Sequence, residues 1–314
     1  MKAAVVSRFD AAPRYEEFAL PQPAEGEIVV DIVAAGLHPR VRSQADGSHY
    51  TSTDELPLVP GIDGVGRDAE GRLRYFILPD TTLGSMAEQT IIDPRRSIVL
   101  PDDSDPVLVA AGMNPAMSSW VELRRRIDFQ PGQNVVVLGA TGNAGRMAVQ
   151  VAKLFGAGRI VAAARDAAKL AELPALGATD TVLLDGNDDA LGEAARDADV
   201  VIDYLWGDAA VAAMVALVTH REDEARPLAW VAIGSMAGPV ASIPSAALRA
   251  ARLQIVGSGQ GSVPARDFLA ELPELARELT RGTFDVDARA VPLADVERAW
   301  ADAATASHRI VLTP

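Results

Sequence analysis

Apolar residues fall into two different rhythms along this chain. Over residues 1–110 they come in short or alternating runs, "KAAVVS", "EIVVDIVAAG", "YFIL" and "AEQTIID", separated by "PQPAEGE", "LVPGIDGVGR", "DAEG" and "IDPRRS". Runs of this length, bounded by glycine, proline and aspartate, predict strands and turns in a β-rich domain. From about residue 110 the helix-like "AAGMNPAMSSWVELRRRI" gives way to the apolar runs "VVVLG", "RIVAAA", "DTVLL", "DVVIDYL", "LAWVAIG" and "LQIVGSG". Helical stretches such as "GRMAVQVAKLFG", "RDAAKLAELPALG" and "AAVAAMVALVTH" lie between them. Strand and helix alternating in this way predict a parallel sheet covered on both faces, so the fold class is α/β. Beyond residue 257, "ARDFLAELPELARELTRG" and "VPLADVERAWADAATA" read as amphipathic helices and "HRIVLTP" as a last strand. A terminal strand that pairs back into the first sheet would make the β-rich domain discontinuous.

At 314 residues the chain exceeds what one core usually fills, so two domains are expected. The net charge of −14 repels nucleic-acid phosphates and anionic membranes, which leaves small molecules as the expected partners. The N-terminal stretch is broken by charge and proline, no run reaches about 18 uninterrupted apolar residues, and the cytoplasm is the default location. The chain has no cysteine, which removes disulfides and thiolate metal ligands. His38, His49, His220 and His308 show no ligand spacing, and no metal is expected.

One segment carries chemistry. After the predicted strand Val135–Leu138, the residues Ala140, Thr141, Gly142, Asn143, Ala144 and Gly145 form A-x-G-x-x-G, opening a helix predicted over Arg146–Phe155. Small residues there allow a tight turn and bring the helix's first N–H groups, with the helix dipole behind them, against a pyrophosphate. The alternative is a glycine-rich turn in a nucleotide-free α/β protein, but the preceding strand, the following helix and the second strand "RIVAAA" all support the nucleotide. At the end of that second strand an NAD site usually carries an acid for the ribose 2′-hydroxyl. Here Ala164 stands in its place and Arg165 follows, a planar donor suited to a 2′-phosphate, so NADPH is favoured. Lys169 is either a second cation for that phosphate or an ordinary solvated lysine.

With these motifs, together with "AAGLHPRVRSQADGSHY", "LPLVPGIDGVG", "GSMAEQTII", "PAMSSWVEL" and "HRIVLTP", the chain resembles the medium-chain dehydrogenase/reductase superfamily over nearly its full length. Within it the chain is most similar to the zinc-free quinone oxidoreductase branch. The resemblance implies a GroES-like β-rich catalytic domain over residues 1–117, a Rossmann NADP-binding domain over 118–257, a return to the first domain over 258–314, and a homodimer joined at Rossmann sheet edges. Zinc-dependent relatives carry a cysteine in the stretch matching Gly36–Val41 and Gly-His-Glu where this chain has Gly61, Ile62 and Asp63, and both are missing. The resemblance also places His38 at a family asparagine and keeps Tyr50, both as donors to a substrate oxygen; for His38 the alternative is a histidine bonded within a turn, and for Tyr50 a wall of the pocket. Ser118 matches a Ser/Thr beside the nicotinamide, or caps a helix. In "DYLWG", Tyr204 and Trp206 flank cofactor or substrate, or pack a core. Gly234 and Ser235 in "AIGSMAG", and Gly257 and Ser258 in "VGSGQGS", admit the nicotinamide or simply make turns. Two departures from the family are Asp185, where many members have a tyrosine near the adenosine, and a short "GVGRDAEGRLRYF".

Oxidising an alcohol wants a Lewis acid or a strong base near its oxygen, and none of Tyr15, Tyr50, Tyr75 and Tyr204 has a lysine four residues later. A quinone or conjugated enone accepts hydride directly, and hydrogen bonds stabilise the resulting oxyanion. The expected function is therefore an NADPH-dependent quinone or α,β-unsaturated carbonyl reductase. A metal-free alcohol dehydrogenase or enoyl-thioester reductase of the same fold, and a non-catalytic NADPH-binding redox sensor, stay open.

Overall fold

The structure is a computed structural model that describes residues 1–259 and 261–314. The chain divides into two compact units, Met1–Asn114 with Leu269–Pro314, and Pro115–Phe268. In the first unit β1 (Lys2–Val5) and β2 (Arg14–Glu17) pair antiparallel. Then come β3 (Ile28–Leu37), the short helix α1 (Pro39–Ala45), β4 (Asp63–Arg67), β5 (Leu73–Ile77), β6 (Gln89–Ile92) and β7 (Ser97–Val99). The helix α2 (Pro106–Val121) carries the chain onward and ends in a π-helical turn, Glu122–Arg126.

In the second unit, strands β8 (Asn134–Leu138), β9 (Arg159–Ala164), β10 (Asp180–Leu183), β11 (Val200–Asp203), β12 (Leu228–Ala232) and β13 (Leu253–Gly257) alternate with helices. These are α3 (Asn143–Leu154), α4 (Ala167–Leu170), α5 (Leu173–Leu176), α6 (Asp188–Ala194), α7 (Gly207–Thr219) and α8 (Ser245–Ala250). The chain then passes through α9 (Ala265–Thr280) to β14 (Ala288–Pro292), α10 (Val296–Asp302) and β15 (Arg309–Thr313).

The closing strand does pair back: the sheet order in the first unit is β14-β15-β3-β4-β5-β7, with β6 also against β3 and Ile310 opposite Leu37. Its core is the apolar set around Val5, Leu37, Val41, Leu58, Met86, Val296 and Ile310. Strand β4 falls in "LVPGIDGVGR", where the composition predicts a turn. Its glycines serve close packing instead: a Cβ on Gly66 would stand 2.9 Å from the carbonyl oxygen of Asp31, and one on Gly64 3.1 Å from that of Ala34.

The second unit's sheet runs β10-β9-β8-β11-β12-β13, every pair parallel, as the apolar runs predict. Val136, Val161, Val201, Leu217 and Trp230 lie in a core that one sheet face and α7 share. The predicted helix over "RDAAKLAELPALG" divides into α4 and α5, because Pro174 in the first turn of α5 starts a helix rather than continuing one. At the end of β11 the buried Asp203 carboxylate accepts from the amides of Leu205 (2.8 Å) and Trp206 (3.1 Å) and from Trp230 Nε1 (3.0 Å). This clamp holds Trp206 at φ 52°, a left-handed conformation uncommon for a large side chain and found mostly where a loop is over-determined.

Helix α3 begins at Asn143, earlier than Arg146, so the motif's last residues are already helical. A Cβ on Gly145 would lie 2.3 Å from the carbonyl oxygen of Gly139. Gly145→Ala is therefore expected to lower stability by about 1–3 kcal/mol, measured as an earlier urea midpoint followed by tryptophan fluorescence.

Candidate functional site

The turn after β8 has the geometry of an anion cradle. Gly139 takes φ 80°, open to glycine without strain, and its amide bonds to the carbonyl of Ala163 at 2.9 Å. Gly142 is the N-cap of α3 and supplies no side-chain cap, and a Cβ there would have only the Gly139 carbonyl oxygen nearby, at 3.5 Å. The first amides of this helix thus face a surface free of side chain, with the positive end of the helix dipole behind them. Ala140 and Gly145 are buried, Thr141, Asn143 and Ala144 half-buried, and Gly142 is exposed. The residues fit a pyrophosphate.

Beside this turn β9 ends at the buried Ala164, and the exposed Arg165 follows directly. Asp166, which the sequence pattern leaves unassigned, is the nearest carboxylate in sequence. Its Oδ1 accepts from the amide of Lys169 at 3.1 Å and caps α4, while its Oδ2 lies 3.9 Å from Lys169 Nζ. Asp166 is thereby committed to its own helix. Lys169 is a partly neutralised cation, and Arg165 makes no ion pair among the described residues. Asp185, on the loop after β10, accepts from the Asn187 amide at 3.0 Å.

At the carboxyl ends of β11, β12 and β13 a second group of predicted residues comes together. Ser118 lies inside α2 rather than at its start, so it caps nothing; its Oγ donates to the Pro115 carbonyl at 2.7 Å. The Tyr204 hydroxyl, 2.8 Å away, then donates to Ser118, and burial pushes this phenol's pKa well up, keeping it protonated. A Cβ on Gly234 would stand 2.8 Å from the Tyr204 carbonyl oxygen, whereas one on Gly257 would meet nothing within 4 Å. The amide of Ser258 bonds to the Ala232 carbonyl at 2.8 Å and ties these strand ends together, and Ser235 lies in the loop after β12.

Sequence reasoning missed Glu122 here. Its carboxyl is buried, with the Ser262 hydroxyl donating to Oε1 at 3.3 Å, and burial raises its pKa. A lone acid at the end of the apolar "SSWVEL" was the available signal.

In the first unit His38 is the N-cap residue of α1 and is buried, its Nε2 3.3 Å from Asp63 Oδ1. The Tyr75 hydroxyl donates to Asp63 Oδ2 at 2.7 Å, and the Ser85 hydroxyl donates to the Asp63 carbonyl at 2.6 Å. Arg309, on β15, bonds the Leu37 carbonyl at 3.3 Å, and burial holds its pKa down to about 10. Burial is also the main influence on His38 and lowers its pKa, against the opposing pull of Asp63. The histidine is therefore neutral near pH 7. With its one N–H directed at Asp63, the other nitrogen is an acceptor. Tyr50 is 74% exposed, its ring 4.4 Å from that of His49. Asp63 was not singled out from the sequence as the partner of His38, nor Tyr75 as a donor to Asp63.

Residues 144–280 match the family model described as zinc-binding dehydrogenase. Over the full length of both chains, this protein is 31% identical to the probable NADPH-dependent quinone reductase tdiC of Emericella nidulans. The chain belongs to the medium-chain dehydrogenase/reductase superfamily, in its quinone oxidoreductase branch. An NADPH-dependent alkenal/one oxidoreductase of Arabidopsis thaliana is 28% identical over 52% of this chain and 47% of its own length. Among solved structures, the quinone oxidoreductase of Thermus thermophilus, also determined with NADPH, aligns over both whole chains with a TM-score of 0.78 and 26% identity.

Some members of the superfamily hold zinc, as the family model's description says. Among the described residues of this member no three His, Cys, Asp or Glu side chains come together so as to hold a metal ion. No helix among them is long and apolar enough to cross a membrane.

The His38 environment sets a pH dependence. The unfolded chain takes up the imidazole proton near pH 6.5, while burial keeps folded His38 neutral to lower pH. The unfolded state then binds more protons, so stability falls as pH drops below about 6.5. His38→Asn is expected to flatten that slope in part, measured by urea midpoints between about pH 7.5 and 5; His49, whose pKa burial also lowers, adds to the slope, whereas Glu122 and Asp203, whose pKa values burial raises, oppose it.

Proposed function

We propose that this protein is an NADPH-dependent reductase that passes hydride to a quinone or an α,β-unsaturated carbonyl. The observation that carries the cofactor assignment is the end of β9, where Arg165 is exposed next to a buried alanine and the nearest carboxylate in sequence caps its own helix. A ribose 2′-hydroxyl finds no acceptor there, whereas a 2′-phosphate finds a free guanidinium. The full-length relative described as an NADPH-dependent quinone reductase supports the same assignment.

When bound, the reduced nicotinamide supplies the hydride. The chain's own residues do the rest. Gly142, Asn143 and Ala144 present amides and room for the pyrophosphate, Arg165 and secondarily Lys169 hold the 2′-phosphate, and Tyr204 with Ser118 forms a protonated hydroxyl pair near the carboxyl ends of the strands. Gly234, Ser235, Gly257 and Ser258 shape that edge for the nicotinamide.

Reduction adds one hydride and one proton, and charge builds on the acceptor's oxygen. Tyr50 has an exposed phenol suited to donate to that oxygen. His38 can do so only after protonation of its second nitrogen, and Asp63 beside it favours that charge. We assign Tyr50 the donor role and His38 a supporting one.

Purified protein is expected to oxidise NADPH with a quinone or enone, unaffected by chelators and much faster than with secondary alcohols or enoyl thioesters. No turnover across quinones and enones would refute the assignment. In the same assay Arg165→Ala should weaken NADPH about tenfold or more while barely changing NADH. Tyr50→Phe should lower kcat about tenfold or more, with NADPH affinity kept.

We further infer a cytoplasmic homodimer. A chain without cysteine needs no oxidising compartment. Strand β13 is an edge of its sheet, with Leu253, Ile255 and Val256 only half-buried, and so offers unpaired backbone groups to a second copy. Light scattering should give twice the monomer mass, and a purely monomeric profile at micromolar concentration would exclude it.

A further inference from the structure

We propose that Glu122 is a positioning residue for the nicotinamide end of the dinucleotide, its carboxyl holding the strand end Gly257–Ser258 in the shape that end requires. The inference deepens the NADPH assignment above and rests on it.

The π-helical turn that ends α2 reaches this strand end through two side chains. Glu122 opens the turn and is only 5% exposed, with Oε1 accepting from the Ser262 hydroxyl at 3.3 Å. Arg126 closes the turn and donates from Nε to the Gly257 carbonyl at 3.3 Å. Ser262 in turn accepts from the Gly259 amide at 3.1 Å and lies 2.8 Å from the Gly259 carbonyl oxygen. The loop after β13 is thus held from its start and from Ser262.

The strand end these contacts fix belongs to the ligand-facing edge of the sheet. In doubly wound sheets ligands gather outside the carboxyl ends of the strands. Gly257 leaves open space there, while the Ser258 amide links β13 to β12 through the Ala232 carbonyl. A moving Ser258 would therefore disturb both strand ends.

The chemistry of Glu122 argues against simple space-filling. Its Oε2 is buried without a hydrogen-bond partner among the described residues, a desolvation cost that an apolar residue of similar size would avoid. Burial raises the carboxyl's pKa, which favours the uncharged acid in this dry surrounding. An uncharged carboxyl still offers Oε1 to the Ser262 hydroxyl, which is the contact the geometry uses.

The test separates the two halves of the nucleotide. Calorimetry with NADPH and with adenosine 2′,5′-bisphosphate, and the fluorescence of bound reduced nicotinamide, are compared in wild type, Glu122→Ala, Glu122→Gln and Ser262→Ala. Glu122→Ala should weaken NADPH about tenfold and reduce the fluorescence enhancement, while bisphosphate affinity stays within about twofold. Glu122→Gln keeps an acceptor oxygen and should recover most of the loss, and Ser262→Ala should show a smaller selective loss. Unchanged NADPH binding in Glu122→Ala, or equal losses for both ligands, would overturn the proposal. If Glu122→Ala does not fold, Ser262→Ala decides, and the absence of any selective loss in it overturns the proposal. A wild type that binds NADPH but reduces neither quinones nor enones would refute the proposed reaction while leaving this selective-binding result to stand.

Discussion

The approach of α3 to the turn before it is the constraint from which the second unit's candidate chemistry follows. With no side chain at Gly145, the helix sits so close that a single methyl would fall 2.3 Å from the Gly139 carbonyl oxygen. That packing aims the start of α3 at the surface of the turn, where Gly142 has no side chain to cap the amides. Amides left unsatisfied at a helix start attract an anion, and the dipole adds to the attraction. A bulkier turn would bury the same amides or tilt the helix, and either change removes the cradle.

Selectivity for the second phosphate is a matter of which charges are already engaged. The chain is acidic overall, at −14, so a phosphate depends on local cations. Arg165 is exposed and unpaired among the described residues, whereas the Asp166 carboxylate beside it receives the Lys169 amide. Had Asp166 turned toward the ribose, the same three residues would favour the unphosphorylated nucleotide. In the proposed assignment the helix cap is part of the selectivity, because it keeps the nearby Asp166 carboxylate engaged with its own helix.

Much of this was legible in the residues. The parallel sheet followed from six apolar runs, and Arg165 could be placed because β9 runs straight to Ala164. Strand β4 was not legible, since Gly64 and Gly66 signal a turn by composition and only the neighbouring strands reveal that they permit contact. The division of α4 from α5 was likewise hidden in a continuous alanine-rich pattern, where Pro174 decides the break. His38 could be named but not understood, because its partner Asp63 and the Tyr75 hydroxyl that donates to Asp63 come from distant strands. Glu122 escaped notice for the same reason: Ser262 is far along the chain, and only the fold makes them neighbours.

The two buried acids at the sheet's carboxyl edge illustrate how similar burial can serve different ends. Asp203 accepts three hydrogen bonds, two from backbone amides and one from an indole, so its carboxylate is well solvated by the protein and fixes the turn that carries Trp206. Among the described residues Glu122 has fewer donors and one oxygen with none, so the same desolvation is poorly compensated. Burial raises both pKa values, but the donors around Asp203 oppose the shift from three directions. Asp203 is thus a rigid fixture of β11, whereas Glu122 is the less fully satisfied group, and it is the one that touches the loop beside the open space at Gly257. A fully satisfied acid at the end of β11 and a costly one holding the loop after β13 is the arrangement expected where a site's shape is kept at the expense of stability.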